Sequence, residues 1–508
     1  MRDGIRLAVV AALFVFGTIG WSLAAHIGAG AGVALGLAVL AVPWRGQPGW
    51  SWARLYLTRD RRFDLSDPVT LVNDRSGGGV RYQDGIAVAA IQILGKAWQP
   101  TFFTGSTTAE TANTLDVAEL LPLMRQSLGL ELESLSVITV GARRRNSGDY
   151  PGIYDTLIGP PPYAGRRETW LVLRLHALDN GEALRDRPTV GTAALAAAQR
   201  VGAALRCRGV RAKVASATEM VELERRLDTG ALGPNNRRWL SLRGEAGWQT
   251  SYGYQTADIT AEALAQAWSL RADGIIQNIT VFPDGTVEAT VAVRTPRPPT
   301  APPGVILQRL PGEQAAAAAG NRCGPRPEVR GLARGPLPRA LVIPVGPSGV
   351  LIGKMPGGER LLMPLGDPFE QTRVHIAAEQ EIAKRIVIRT AAAGERVTVH
   401  TTDVAGWQSV RMPSVAVLEH QRPAPGTTVS VVDGTVAPAP RPGTVISVGP
   451  PGSPAPPASD IVITQTGPAI VEVTAAGRLY DIETEFFRAE NRYVAGSEWD
   501  VSEWKAAE

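Results

Sequence analysis

Two uncharged apolar runs open the chain. Leu7 to Ala25 holds no charged residue and at about 1.5 Å per residue spans roughly 28 Å, close to the hydrocarbon thickness of a bilayer. His26 interrupts the run, and Ile27 to Trp44 is a second uncharged stretch. The pattern predicts two transmembrane helices, about 7–25 and 27–44, joined as a hairpin with almost no loop. Gly28, Gly32 and Gly36 recur at every fourth position of the second run. Such a face lets another helix approach closely, so these three are the expected helix-packing residues. Their partner is either the first run or a helix of another protein.

Beyond residue 66 the pattern becomes short apolar runs interleaved with helical periodicity. Strands are expected over Gly79–Gln83, Ile86–Leu94, Ser134–Val140, Trp170–His176 and Val210–Val214, and across the hairpin Ile275–Phe282 and Thr286–Thr295. Helices are expected over Asp116–Leu128, Thr192–Cys207, Thr218–Leu227 and Thr260–Leu270. This alternation reads as an α/β (mixed α+β) soluble region with a mixed sheet, anchored by the N-terminal two-helix transmembrane hairpin. The expected organisation is a hairpin (1–44), a juxtamembrane connector (45–66) and a mixed domain (67–295). A Pro-rich linker (296–304), a β-rich unit (305–420), a Pro-rich flexible linker (421–460) and C-terminal strands (461–508) follow. Within 305–420 a short helix around Ala315–Ala319 precedes strand-like runs, Ile386–Arg389 among them.

Charge gives the hairpin an orientation. Arg2 and Arg6 precede the first run, Arg45, Arg54, Arg59, Arg61 and Arg62 follow the second, and the turn at His26 has no Lys or Arg. The positive-inside rule therefore places both termini in the cytoplasm, with Trp44, Trp50, Trp52 and Tyr56 at or near the membrane interface. A cleaved signal peptide ending at Ser22-Leu23-Ala24 is the competing reading. It leaves the second apolar run unexplained. The net charge of +4 over 508 residues argues against general nucleic-acid binding. The two cysteines, Cys207 and Cys323, make neither a disulfide framework nor a zinc site; one long-range pair stays open.

Candidate chemistry is thin. Gly77–Gly79 invite a phosphate-loop reading, but such a loop needs a strand before it and a helix after it. Here strand character follows, so a tight Gly-rich turn before an edge hairpin is expected. In "GPSGVLIGKM" a P-loop would need Gly at Ser348 and a hydroxyl at Met355; a hairpin is expected instead. The five histidines show no i, i+3 or i+4 pairing, so no metal site is expected. No nucleophile elbow occurs. "FRAENRYV" reads as a solvated strand end or an interaction surface. No catalytic residue, cofactor or metal is assigned.

The segments "WSWA", "DPVTLVNDRSGGGVRYQDGIAV", "DYPGIYDTLIGPPPYAGRRETWLVLRL", "RGEAGW" and "FRAENRYV", together with the hairpin, resemble EccE, a membrane component of the actinobacterial type VII (ESX) secretion machine. The resemblance implies a two-span inner-membrane protein with a cytoplasmic domain and no known catalysis. It also implies a complex with EccB, the ATPase EccC and EccD, and association with a mycosin protease. The chain is long for that family, the excess lying after Pro296 and in the Pro-rich stretch. The residues alone leave two further readings open, a membrane-anchored α/β transferase and, with reversed topology, an extracytoplasmic binding or sensor module.

Overall fold

The structure, a computed structural model, describes residues 2–41, 43–44, 47–48, 62–73, 76–143, 148–227, 229–304 and 306–495, with side chains of the N-terminal helix from 12 to 38. Trp50, Trp52, Tyr56 and the arginines from 45 to 61 lie outside these residues, as do Asp74 and Arg75.

The N-terminus is a helical run, Arg2–Ala41, broken at Ala24 (φ −151°, ψ 36°) and Ala25 (φ 48°, ψ −129°). The apolar sequence predicts the second helix to continue to residue 44. It ends at Ala41, because Pro43 lacks an N–H and disfavours helix at the residue before it. Pro43–Trp44 instead pairs with Gln47–Pro48 as a two-residue ladder.

Among the described residues, two sheets of twelve strands each make up most of the rest. The first is antiparallel. Its central path runs Leu242–Gly244, Gly247–Tyr254, Thr286–Thr295, Gly274–Val281, Ser134–Ala142, Arg166–His176, Ile86–Gly95, Gly77–Gln83 and Val69–Val72. Helix Val190–Cys207 packs its alanine-rich face onto this sheet, started by a Thr189–Thr192 capping box. Helix Ala217–Arg226 starts with the same device at Ser216 and Glu219. The predicted helix over Asp116–Leu128 is a 3₁₀ helix, Val117–Met124. Pro122 removes a backbone donor there, while Val117, Leu120 and Met124 still reach the core.

The second sheet has a parallel centre. Its strand order is Val415–Leu418, Val397–Thr401, Val429–Asp433, Thr444–Gly449, Thr372–Ala377 and Ile461–Gln465, followed by antiparallel Ile470–Ala475 and Arg478–Glu483. Two expectations are corrected here. Ile386–Arg389 lies inside helix Gln380–Ala392. Its β-branched residues suggest a strand, but the parallel strands Thr372–Ala377 and Val397–Thr401 need a crossover between them, and tertiary context overrides a weak propensity. Residues 421–460 supply two central strands, Val429–Asp433 and Thr444–Gly449. Strands buried on both faces read as short apolar runs, which surrounding prolines mask at the level of composition.

The sheets also exchange segments. Thr101–Thr104 and Thr108–Thr111, from between strands of the first sheet, extend the second beside Arg360–Met363. Beyond the Pro-rich stretch 296–304, Leu307–Arg309 and Gly335–Pro336 return to the first sheet. Thr114–Asp116 pairs with Val342–Pro344 between them. Each sheet keeps its own apolar core, one around Ile91, Leu171 and Leu195, the other around Ile376, Val387 and Val399.

Candidate functional site

The sequence-level candidates resolve into structure first. Gly77–Gly79 begin a strand rather than a turn. A Cβ on Gly78 would sit 2.6 Å from Leu195 Cδ1, and one on Gly79 2.6 Å from the Ala217 nitrogen. These glycines let two helices close onto the sheet. Val350–Lys354 and Arg360–Met363 form the expected hairpin, with Lys354 Nζ 3.3 Å from Glu485. The histidines are dispersed: His176 on Asp179, His375 between Ser447 and Ser453, His400 between the His420 carbonyl and Ser430. Among the described residues no three His, Cys, Asp or Glu side chains form a metal-sized group. Cys207 is exposed and Cys323 buried, both as free thiols.

The N-terminal helical run is a second surface of interest. Ala12–Ala38 is long and apolar enough to cross a membrane, with mean hydropathy 1.5. Phe14, Ile19, Trp21, Leu23, Ile27 and Leu35 are all more than half exposed, a surface that water would penalise and lipid would not. The halves either side of the break lie against one another. A Cβ on Gly28 would collide with the Gly20 carbonyl, one on Gly32 with the Phe16 carbonyl, and one on Gly36 would meet the Phe16 ring at 3.2 Å. Trp21 and His26 face each other edge-on across the break, 4.4 Å between ring centres.

The third feature is a buried ionic cluster that the sequence did not disclose. "FRAENRYV" is a helix, Arg488–Val494, not a strand end, and its Glu490 is fully buried. Arg389 donates from Nε to Glu490 Oε1 (2.9 Å) and from Nη2 to Oε2 (2.8 Å). Arg385 donates to Oε2 at 3.3 Å and the Tyr150 hydroxyl to Oε1 at 2.5 Å. Remaining Arg389 donors reach the Leu351 and Glu485 carbonyls. Burial alone would raise the Glu490 pKa, but the hydrogen bonds and charge of Arg389, with Tyr150 and Arg385, hold it below the usual carboxylate value. Burial and the adjacent Glu490 carboxylate push Tyr150 well up. A carboxylate so satisfied joins three helices without an open coordination position, which makes it a structural clamp. The available signal was an arginine inside an apolar run, "IVIRTAA", since a charge there needs a buried partner.

Between the sheets lies a cleft of about 380 Å³. One wall is Gly165–Glu168, where the strand Arg166–His176 begins; the other includes Thr390, Thr427, Thr428 and Thr444 around the second sheet. Gly165 is required there, because a Cβ would collide with the Ala393 carbonyl. Arg166 lies 3.1 Å from Glu168, which Arg226 also pairs, and Arg211 pairs Asp367. Arg167 lies over the ring of Trp268, 4.4 Å from its centre.

With this geometry in place, comparison with known proteins is decisive. Over 517 aligned residues, 97% of this chain and 96% of its relative, the sequence is 51% identical to the ESX-2 secretion system protein EccE2 of Mycobacterium tuberculosis. The chain belongs to the EccE family. The family model for EccE, a type VII ESX secretion system translocon protein, matches residues 163–254. That segment opens on the cleft wall and runs through helices Val190–Cys207 and Ala217–Arg226 to the end of strand Gly247–Tyr254. The ESX-1 secretion system protein EccE1 of the same organism is 27% identical over 391 residues, covering 73% of this chain and 77% of that protein. The ESX-5 secretion system protein EccE5 of Mycobacterium marinum is 29% identical over 162 residues, 30% of this chain and 40% of that protein. The alignment to EccE2 covers 97% of this chain and so takes in most of the residues after 296 as well as those before.

Proposed function

We propose that this EccE-family chain is a non-enzymatic structural subunit of a type VII (ESX) secretion membrane complex, held in the plasma membrane as a two-span hairpin. The observation that carries this reading is the near full-length identity to a named ESX component in a chain whose N-terminal run is apolar and exposed. Arginines flank both ends of that run and spare its turn, which favours both termini on the cytoplasmic side. Residues 45–508 then face EccB, the EccC ATPase, EccD and a mycosin, the partners that membership implies. A phosphatase fused after Gly304 is expected to be inactive and a fluorescent protein at the same point bright; an active phosphatase overturns the orientation. Co-purification from native membranes without any other ESX component overturns the subunit role.

Gly28, Gly32 and Gly36 are proposed as the packing face within the hairpin. Lipid supplies no hydrophobic drive between helices, so close van der Waals contact carries the association. The Phe16 carbonyl leaves no room for a side chain on Gly32. Gly32→Leu is expected to lower protein abundance in membranes. Normal abundance with the variant missing from the complex would assign the face to another subunit, and normal abundance with normal assembly would refute a packing role.

A further inference from the structure

The cleft between the sheets contains a positive charge that none of the described residues neutralises. Arg167 is 6% exposed. Its Nε has no hydrogen-bond partner, and among the described residues the guanidinium forms no ion pair or hydrogen bond, only the stack on Trp268. The other buried arginines among the described residues each have a carboxylate or a backbone carbonyl to donate to. Arg81 meets Glu224, Arg143 meets Asp155, and Arg385 and Arg389 share Glu490. Arg174 and Arg322 donate to backbone carbonyls. Burial pushes the Arg167 pKa down to about 9, so the group is still charged at neutral pH. An unpaired buried charge is among the costliest arrangements in a protein interior, and departures of this kind concentrate at functional sites.

The surroundings specify what would neutralise it. Glu168 and Asp367 are already paired to arginines. Thr390, Thr427 and Thr428 spend their hydroxyl protons on the carbonyls of Ile386, Ala424 and Arg396. Thr444, 5% exposed, has no hydroxyl partner among the described residues. Arg167 belongs to the wall of the first sheet and Thr444 to that of the second. The volume, about 380 Å³, lies in the range of small-molecule sites, roughly 300–1,000 Å³.

We propose that this cleft binds a small phosphate-bearing molecule, its oxygens received by the Arg167 guanidinium on one wall and the Thr444 hydroxyl on the other. A guanidinium presents two parallel donors to an oxyanion. A tetrahedral phosphate, unlike a planar carboxylate, has further oxygens to direct at a second wall. The stack on Trp268 fixes the fork, so little side-chain entropy is lost on binding. Because the walls belong to different sheets, the ligand also ties them together. Glu395, half-buried in the same lining and without an ion partner among the described residues, opposes the anion and sets the affinity.

The test uses the full-length protein in detergent, titrated with inorganic phosphate at constant ionic strength. Equilibrium dialysis of radiolabelled phosphate and the thermal-unfolding midpoint are read together. Expected are saturable binding and a rise in midpoint that chloride does not reproduce. Arg167→Gln is expected to weaken binding about 10- to 100-fold, the loss of hydrogen bonds to a charged group. Without phosphate it should unfold at the wild-type temperature or above, because it removes an unpaired charge. Thr444→Val should weaken binding less, and Glu395→Gln should strengthen it. The proposal is overturned by absent or non-saturable binding to the wild type, by wild-type affinity in folded Arg167→Gln, or by tighter binding of succinate than of phosphate.

Discussion

Glu490 shows how one residue on a seven-residue helix can fix a short segment against the second sheet's core. A helix as short as Arg488–Val494 is marginal by itself. It is held because its buried carboxylate pairs with both Arg389 and Arg385, the latter reaching also the exposed Glu381 at 3.6 Å. Removing one partner of a buried pair leaves the other uncompensated, at about 3–5 kcal/mol. Glu490→Gln is therefore expected to lower the unfolding midpoint and expose the segment after Glu485 to limited proteolysis; wild-type resistance would refute the clamp. The pH dependence has a defined sign. The folded-state pKa of Glu490 lies below its ordinary value, so this stabilisation is complete at neutral pH. It is lost as pH falls below the ordinary carboxylate range and through the folded value. Glu490→Gln should flatten that acid limb of the stability curve.

At the scale of elements, contacts decide what propensity leaves ambiguous. Gly78 and Gly79 sit side by side in one strand, yet their environments differ. A Cβ on Gly78 meets the ends of two side chains, Leu195 Cδ1 and Val214 Cγ1, whereas one on Gly79 meets backbone atoms of Ser216 and Ala217. Side-chain ends can move aside and a backbone hydrogen-bonded through Gly79 N–H to the Ala215 carbonyl at 2.7 Å cannot. Gly79→Ala is thus expected to cost about 1–3 kcal/mol, in the range of overpacking, and Gly78→Ala less. Thermal melts of the two variants give the comparison, and equal midpoints would refute this account of the glycine run. The helix Gln380–Ala392 illustrates the converse. Its residues Ile386 to Ile388 favour a strand locally, and the demand for a crossover between parallel strands prevails.

For the whole molecule, the exchange of strands between sheets means that the parts on either side of residues 296–304 are not independent. The free thiols offer a test of both packing and orientation. Cys207 is exposed at the end of helix Val190–Cys207; Cys323 is buried, and burial pushes its pKa up to about 12. The thiolate is the reactive form, so at pH 7 an impermeant maleimide should label Cys207 only after the membrane is permeabilised, and Cys323 only after unfolding. Labelling of Cys207 in intact cells would refute the cytoplasmic placement.

Much of this architecture was legible in the residues. Apolar runs of membrane length, period-two strands, the hairpin turn Pro283-Asp284-Gly285 and the stops after Cys207 all depend on local chemistry, which a sequence carries explicitly. The family resemblance was equally legible, because its segments are continuous. What only the tertiary structure decided are relations between distant residues. The pairing of Arg389 with Glu490, the strands within 421–460 and the transfer of Thr101–Thr111 to the second sheet are such relations. So is the isolation of Arg167 over Trp268. In "GRRETW" two arginines stand next to a glutamate and look alike. Alternation along the strand brings Arg166 to Glu168 and places Arg167 over Trp268 without a counter-charge among the described residues, and whether a buried charge is neutralised depends on which chain segments fold against it.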